Sequence, residues 1–213
     1  MAWSPGDDRS GRASSAPRLT RRVATYQAIG SVAEAVARLL EQTWQPALLN
    51  GIELQFGVYQ GKDFSAPMDA GVSVFVYQVG VNKVQRTLPP ADPTHRRPLP
   101  LDIHLLLTAW AQDASAEHDI LGWAMRVIDD NPILSSGFLN AAIPDVFRPE
   151  ETVELVPAEL TNDEVFQLWQ VLPNSLQLSA PYVARVIRVE SSLTIPQGGP
   201  VLVRELAYGT LGS

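Results

Sequence analysis

The sequence predicts an α+β fold: a single domain with a mainly antiparallel β-sheet, a long hairpin and two to three packed helices. Three observations lead there. Two alternating apolar segments, residues 72–86 and 101–107, flank a proline-rich connection, as the arms of a hairpin do. Three other stretches repeat apolar residues every three or four positions, as amphipathic helices do. A chain of 213 residues that is 46% apolar and 18% charged can also bury a sizeable core.

Residues 1–24 are rich in Ser, Arg, Gly, Ala and Pro and read as a flexible basic N-terminal arm. The α+β domain spans 25–196, and 197–213 form a hinge and an extended C-terminal segment. Ile29, Val32, Val36, Leu39 and Leu40 make the first helical stripe, extended by Trp44 and stopped by Pro46. Ile52, Leu54, Phe56 and Val58 alternate with polar or small neighbours, which predicts a half-buried strand. Residues 61–71 read as a loop. In the long strand at 72–86, Val72, Val74 and Val76 hold one parity and Phe75, Tyr77, Val79 and Val81 the other. Either both faces are covered or the strand bulges near Gly80. The connection at 88–98 carries prolines at 89, 90, 93 and 98, and Leu101, Ile103, Leu105 and Leu107 return as the second hairpin arm.

Ser115 is placed to cap a helix with Glu117 and Asp119 in its first turn, buried through Ile120, Leu121, Ala124, Val127 and Ile128 and ended by Asn131-Pro132. Thr161 and Glu164 fit a capping box before Val165, Leu168, Trp169 and Leu172. Val183, Arg185, Ile187 and Val189 alternate with Ala184, Val186 and Arg188 in another strand. Residues 201–208 follow a Gly198-Gly199 hinge as a short extended piece.

Composition excludes several classes of function. With 16 Lys and Arg against 23 Asp and Glu, the net charge of −7 argues against a surface built for phosphate backbones. The charge is uneven: Arg9, Arg12, Arg18, Arg21 and Arg22 leave the arm at +3 and the remainder at −10. The absence of cysteine removes disulfides, thiolate metal sites and thiol catalysis. No apolar run is long enough for a transmembrane helix, and the stretch after Arg21-Arg22 is amphipathic where an export signal needs a uniformly apolar core.

No catalytic constellation emerges. His95, His104 and His118 fall in different elements without ligand spacing, so no metal and no other cofactor is expected. Asp102 and His104 lie two apart on a strand and are read as the polar face of a half-buried sheet. Asp129-Asp130 are read as solvated. Neither a nucleophile elbow nor a phosphate-binding glycine loop is present.

What remains is a protein of contacts. A hairpin whose tip carries Arg86, Arg96 and Arg97 on a proline-stiffened connection is suited to reaching a neighbour. The segment with Val201, Val203, Arg204 and Tyr208 either adds to another chain's sheet edge or packs back on its own domain. Arg185 and Arg188 complete the candidate interface residues. A stand-alone adaptor that binds a protein or a nucleic acid through the basic arm is the alternative.

Several stretches carry a resemblance: Ala28-Ile29-Gly30-Ser31-Val32; the run from Asn82-Lys83-Val84-Gln85-Arg86 through Arg97-Pro98-Leu99-Pro100-Leu101-Asp102 to Trp110; Glu117-His118-Asp119-Ile120-Leu121-Gly122-Trp123; and Leu178-Ser179-Ala180-Pro181-Tyr182. Over residues 25–192 the chain resembles the cap, or tail-terminator, proteins of phage-tail-like extracellular contractile injection systems of the antifeeding prophage and Photorhabdus virulence cassette type. The resemblance implies a tail-terminator-like fold and a structural role without enzymatic activity. It implies a homo-hexamer ring on the last layer of inner tube and sheath, which ends polymerisation and couples sheath to tube at the baseplate-distal end. The implied partners are the sheath protein and the inner-tube protein, with no nucleic acid and no membrane insertion. The implied setting is soluble, in a particle assembled in the bacterial cytoplasm.

Overall fold

A computed structural model describes residues 24–87, 96–191 and 193. Helix α1 (Ala28–Thr43) realises the first stripe: Val32, Val36, Leu39 and Leu40 are buried, as are Ala28, Ala33, Ala35 and Ala37. The small alanines let the helix backbone lie close to its neighbours, so more than one face is covered. Trp44 caps the helix and meets the ring of Trp123 edge-on at 4.7 Å. Pro46 opens a single 3-10 turn, Pro46–Leu49. Strand β1 (Gln55–Tyr59) starts three residues later than the alternation predicts, leaving Ile52 and Leu54 in the approach to it.

Strands β2 (Gly71–Val81) and β3 (Leu99–Trp110) form the long hairpin, paired antiparallel from Gly71 opposite Trp110 to Val81 opposite Leu101. The register slips between Val76 and Gln78, so Tyr77 is the bulged residue. Before it, Val72 and Val74 enter the main core while Phe75 and Tyr77 pack on the opposite face. Beyond it, Val79 and Val81 oppose Ile103 and Leu101 on the main-core side. The bulge falls three residues before Gly80, and both faces are covered only up to it. The strand stops at Val81, short of the expected Arg86, and the chain turns into a 3-10 helix, Gln85–Thr87.

Helix α2 (Ala114–Asp130) is capped by Asp113, whose Oδ1 accepts from the Ala116 N–H at 3.0 Å, and not by Ser115, which lies inside the helix. Either side chain has the required oxygen, and the earlier one captures the first turn. Three elements have no forecast in the sequence: β4 (Ile133–Ser135), α3 (Ser136–Leu139) and β5 (Thr152–Pro157). Helix α4 (Asn162–Val171) has the predicted capping box between Thr161 and Glu164. In β6 (Ser179–Val189) the simple alternation fails: Ala180, Tyr182 and Ala184 are buried, then Ile187, because Arg185-Val186 together oppose the single residue Asp102.

The six strands run in the order β1-β2-β3-β6-β5-β4. Among the described residues only β1–β2 is parallel; the other pairings are antiparallel. One face carries α1, α2 and α3 over a continuous apolar core. The opposite face carries a smaller cluster of Phe64, Leu106, Trp110, Trp169 and Leu172. Phe64 comes from a 3-10 turn, Gly61–Ser65, inside the stretch expected to be loop.

Candidate assembly interface

The far end of the hairpin is held by a chain of polar contacts that starts at Asn82. Its backbone N–H donates to Pro100 O at 2.9 Å, and its Nδ2 donates to both carboxylate oxygens of Asp102, at 2.9 and 3.2 Å. Its Oδ1 accepts from the Gln85 N–H at 2.9 Å, and Gln85 Oε1 accepts from Arg188 Nη2 at 3.0 Å. The turn after β2 is thereby tied to β3 and, through Arg188, to β6. Arg86 follows Gln85 on this turn, and Arg96 and Arg97 lead into β3; all three are exposed. Leu99 pairs with Val189, so Arg86, Arg96, Arg97 and Arg188 share one end of the sheet.

Arg185 is elsewhere. It lies directly opposite Glu154 on β5, with Nε 3.3 Å from Oε2, and both side chains are half exposed. A solvated pair of this kind contributes at most about 1 kcal/mol.

Where β6 bulges at Arg185-Val186, its last residues part from β5 and leave a groove of about 460 Å³. Pro100 O turns toward β2, so Leu101 and Ile187 bond each other and the backbone of Arg188 faces the groove. At its mouth the Glu190 N–H donates to Ala24 O at 3.1 Å, while the Thr25 N–H donates to Val146 O at 3.3 Å. The chain entering α1 thus bridges the two walls. Arg148 Nη2 meets Glu190 Oε1 at 2.6 Å with both side chains about one-fifth exposed. Beside them, burial pushes the Glu151 carboxyl above its ordinary value.

The remaining candidates separate. His104 does not pair with Asp102, whose partner is Asn82; its ring lies 5.7 Å from Tyr77. Asp129 and Asp130 both bind Arg126 on the exposed side of α2, and the Asp130 bond lowers its carboxyl's pKa. Among the described residues no three His, Asp or Glu gather as metal ligands, and no helix is long and apolar enough to cross a membrane. Val201, Val203, Arg204, Tyr208, His95 and the N-terminal arginines lie outside the described residues. Sequence reasoning missed Asn82 and Gln85, whose one signal was an Asn directly after an apolar strand, where its side chain can bond the following turn.

Comparison with known proteins points one way. The family described as Pvc16 N-terminal domain matches residues 31–202. The fold is similar to a solved sheath/tube terminator of the PVC extracellular contractile injection system, with a TM-score of 0.54 and 17% identity over 87% of this chain and 64% of that one. It is similar also to the tube-terminating cap of the anti-feeding prophage, with a TM-score of 0.52 and 16% identity over 83% of this chain and 60% of that one. The chain thus spans less than two-thirds of the length of either structure. A search of curated proteins returns no match.

Proposed function

The chain belongs to the Pvc16 N-terminal domain family, and from that premise we propose that it is a structural cap of a contractile injection system. In this reading it forms a hexameric ring on the last layer of inner tube and sheath, stops their polymerisation, and couples sheath to tube at the baseplate-distal end. The observation that carries the proposal is the family match across most of the chain, joined to a fold shared with two terminators. The partners are the sheath and inner-tube proteins, and the particle is assembled in the cytoplasm.

Residues 25–196 act as the ring-forming domain. The arginines at the hairpin end, Arg86, Arg96, Arg97 and Arg188, meet acidic groups of the layer below. The segment with Val201, Val203, Arg204 and Tyr208 reaches a neighbour across the glycine hinge by strand addition. A role that rests on contacts asks nothing of a catalytic centre.

Deletion of the gene in the producing cell, followed by electron microscopy of purified particles, tests the role. Over-long, ragged or sheath-less particles, restored to uniform length by complementation, are expected. Particles of normal length with a normal cap overturn it and favour the stand-alone adaptor. Removing residues 198–213 is expected to leave a folded protein that fails to complement, and normal capping by it rules out the C-terminal contact.

A further inference from the structure

Among the described residues the sheet ends in two strands, β1 and β4, with no outer neighbour, and these two edges match. Gln55 N–H bonds Ala70 O, so alternate residues of β1 face β2 while Phe56 and Val58 turn their N–H and C=O groups outward. At the other end, Leu155 N–H bonds Pro132 O at 2.7 Å, which turns Leu134 toward β5 and leaves Ile133 and Ser135 facing outward. Among the described residues nothing pairs with these groups. Edge strands are usually guarded by charge, Pro or a bulge. Gln55–Tyr59 contains no charged residue, no Pro and no bulge; Ile133–Ser135 contains none either, and its guards are its three-residue length and the Pro132 before it.

The side chains at the two edges also complement each other. Leu134 is buried in the main core, so Ile133 stands on the opposite face, 62% exposed. On that same face of β1 lies Gly57, where a Cβ would meet nothing within 4 Å. Around it runs a hollow of about 500 Å³ lined by Gln55, Tyr59, Met68 and Asp69. An exposed isoleucine side chain set against this shallow hollow would shed part of its contact with water.

Direction agrees as well. Following the pairings across the sheet, β1, β2, β6 and β4 run one way and β3 and β5 the other. A rotation about an axis along the strands therefore brings β4 of one copy beside β1 of the next as a parallel pair. Two different surfaces that meet head to tail close a ring when the rotation closes. At about 4.8 Å per strand, six strands give about 29 Å of arc, and six copies about 170 Å of circumference. That corresponds to a radius of about 27 Å, an open bore rather than a side-chain-filled barrel.

The geometry points to pairing of β4 with β1 of a second copy, Ile133 seated over Gly57, as the joint that closes the cap ring; this rests on the ring-forming role proposed above. The chain has no cysteine, so introduced thiols report on their own contacts. Particles carrying the G57C/I133C double variant are purified, their caps viewed by electron microscopy, and the protein run oxidised on a non-reducing gel. A covalent ladder reaching six chains is expected, absent from either single variant. Rings present without a ladder overturn the pairing, as does mass-spectrometric linkage of position 57 to any segment other than the β4 region. Ile133→Asp gives the second arm: the side chain is exposed, so the melting temperature should stay at the parent's while complementation is lost. Full complementation by I133D overturns the pairing. If the gene deletion is defective and the parent complements it, such results reject the joint alone. A deletion with normal particles rejects the cap role itself.

Discussion

Glu151 is a carboxyl held where it would rather be neutral. Burial raises its pKa, outweighing the Arg148 backbone N–H and charge that pull it down. A carboxyl with a raised folded pKa binds its proton more tightly folded than unfolded. Its contribution is therefore complete below the unfolded value and is lost as pH rises through the folded one. Glu151→Gln keeps an acceptor for the Arg148 N–H, now at 2.7 Å, and removes the titration. The variant is expected to melt above the parent at pH 7, with the gap closing by about pH 4; thermal melts across pH measure it, and a gap that widens in acid refutes it. Phe64 makes the opposite case, a residue whose worth is all packing. It is fully buried, with the rings of Tyr59, Phe75, Trp110 and Trp169 at 5.3–5.6 and 5.9 Å. Phe64→Ala is expected to cost about 3–5 kcal/mol in denaturant unfolding. A lone Phe between Asp63 and Ser65 has no period, which is why its stretch reads as loop in sequence.

Elements were legible in proportion to their length and regularity. The 16-residue α1 and 17-residue α2 repeat their stripes several times, and Thr161-x-x-Glu164 marks its helix start by chemistry alone. By contrast β4 has three residues and one buried side chain, too few for any alternation to show. The bulges at Tyr77 and Arg185-Val186 invert parity within a strand, and only the partner strand reveals where. The parallel start of the sheet rests on Gly71, where φ is +155° and an added Cβ would drive into the Gln55 carbonyl oxygen. A glycine inside a strand pattern often marks such a close backbone approach. Gly71→Ala is expected to cost about 2 kcal/mol or more, because the β1–β2 junction has to open. Hydrogen exchange should place the loss at β1, with the Leu101–Leu107 region keeping its protection; uniform loss would contradict this.

At the scale of the whole molecule, the residues that hold the fold and those proposed to meet a partner occupy different parts of the sheet. The helices cover the main core and the aromatic cluster covers the start of the hairpin, while the hairpin end projects with Arg86, Arg96 and Arg97 exposed. The sequence showed these arginines as a cluster but not their support, because the Asn82–Asp102 and Gln85–Arg188 bonds join positions 20 and 103 residues apart. That separation makes the two roles testable apart. Exposed surface charges away from buried features usually change stability by no more than about 0.5 kcal/mol. The R86E/R96E/R97E variant is therefore expected to melt with the parent and keep its fold by circular dichroism. Against an acidic partner, however, each reversal turns an attraction into a repulsion that also slows encounter, an effect that salt screens. Complementing the deletion strain with this variant should give particles as irregular as those without the gene. Arg188→Glu alone should give only a mild defect, since that side chain is already engaged with Gln85. If the triple variant restores uniform length, the hairpin end is not the contact with the layer below.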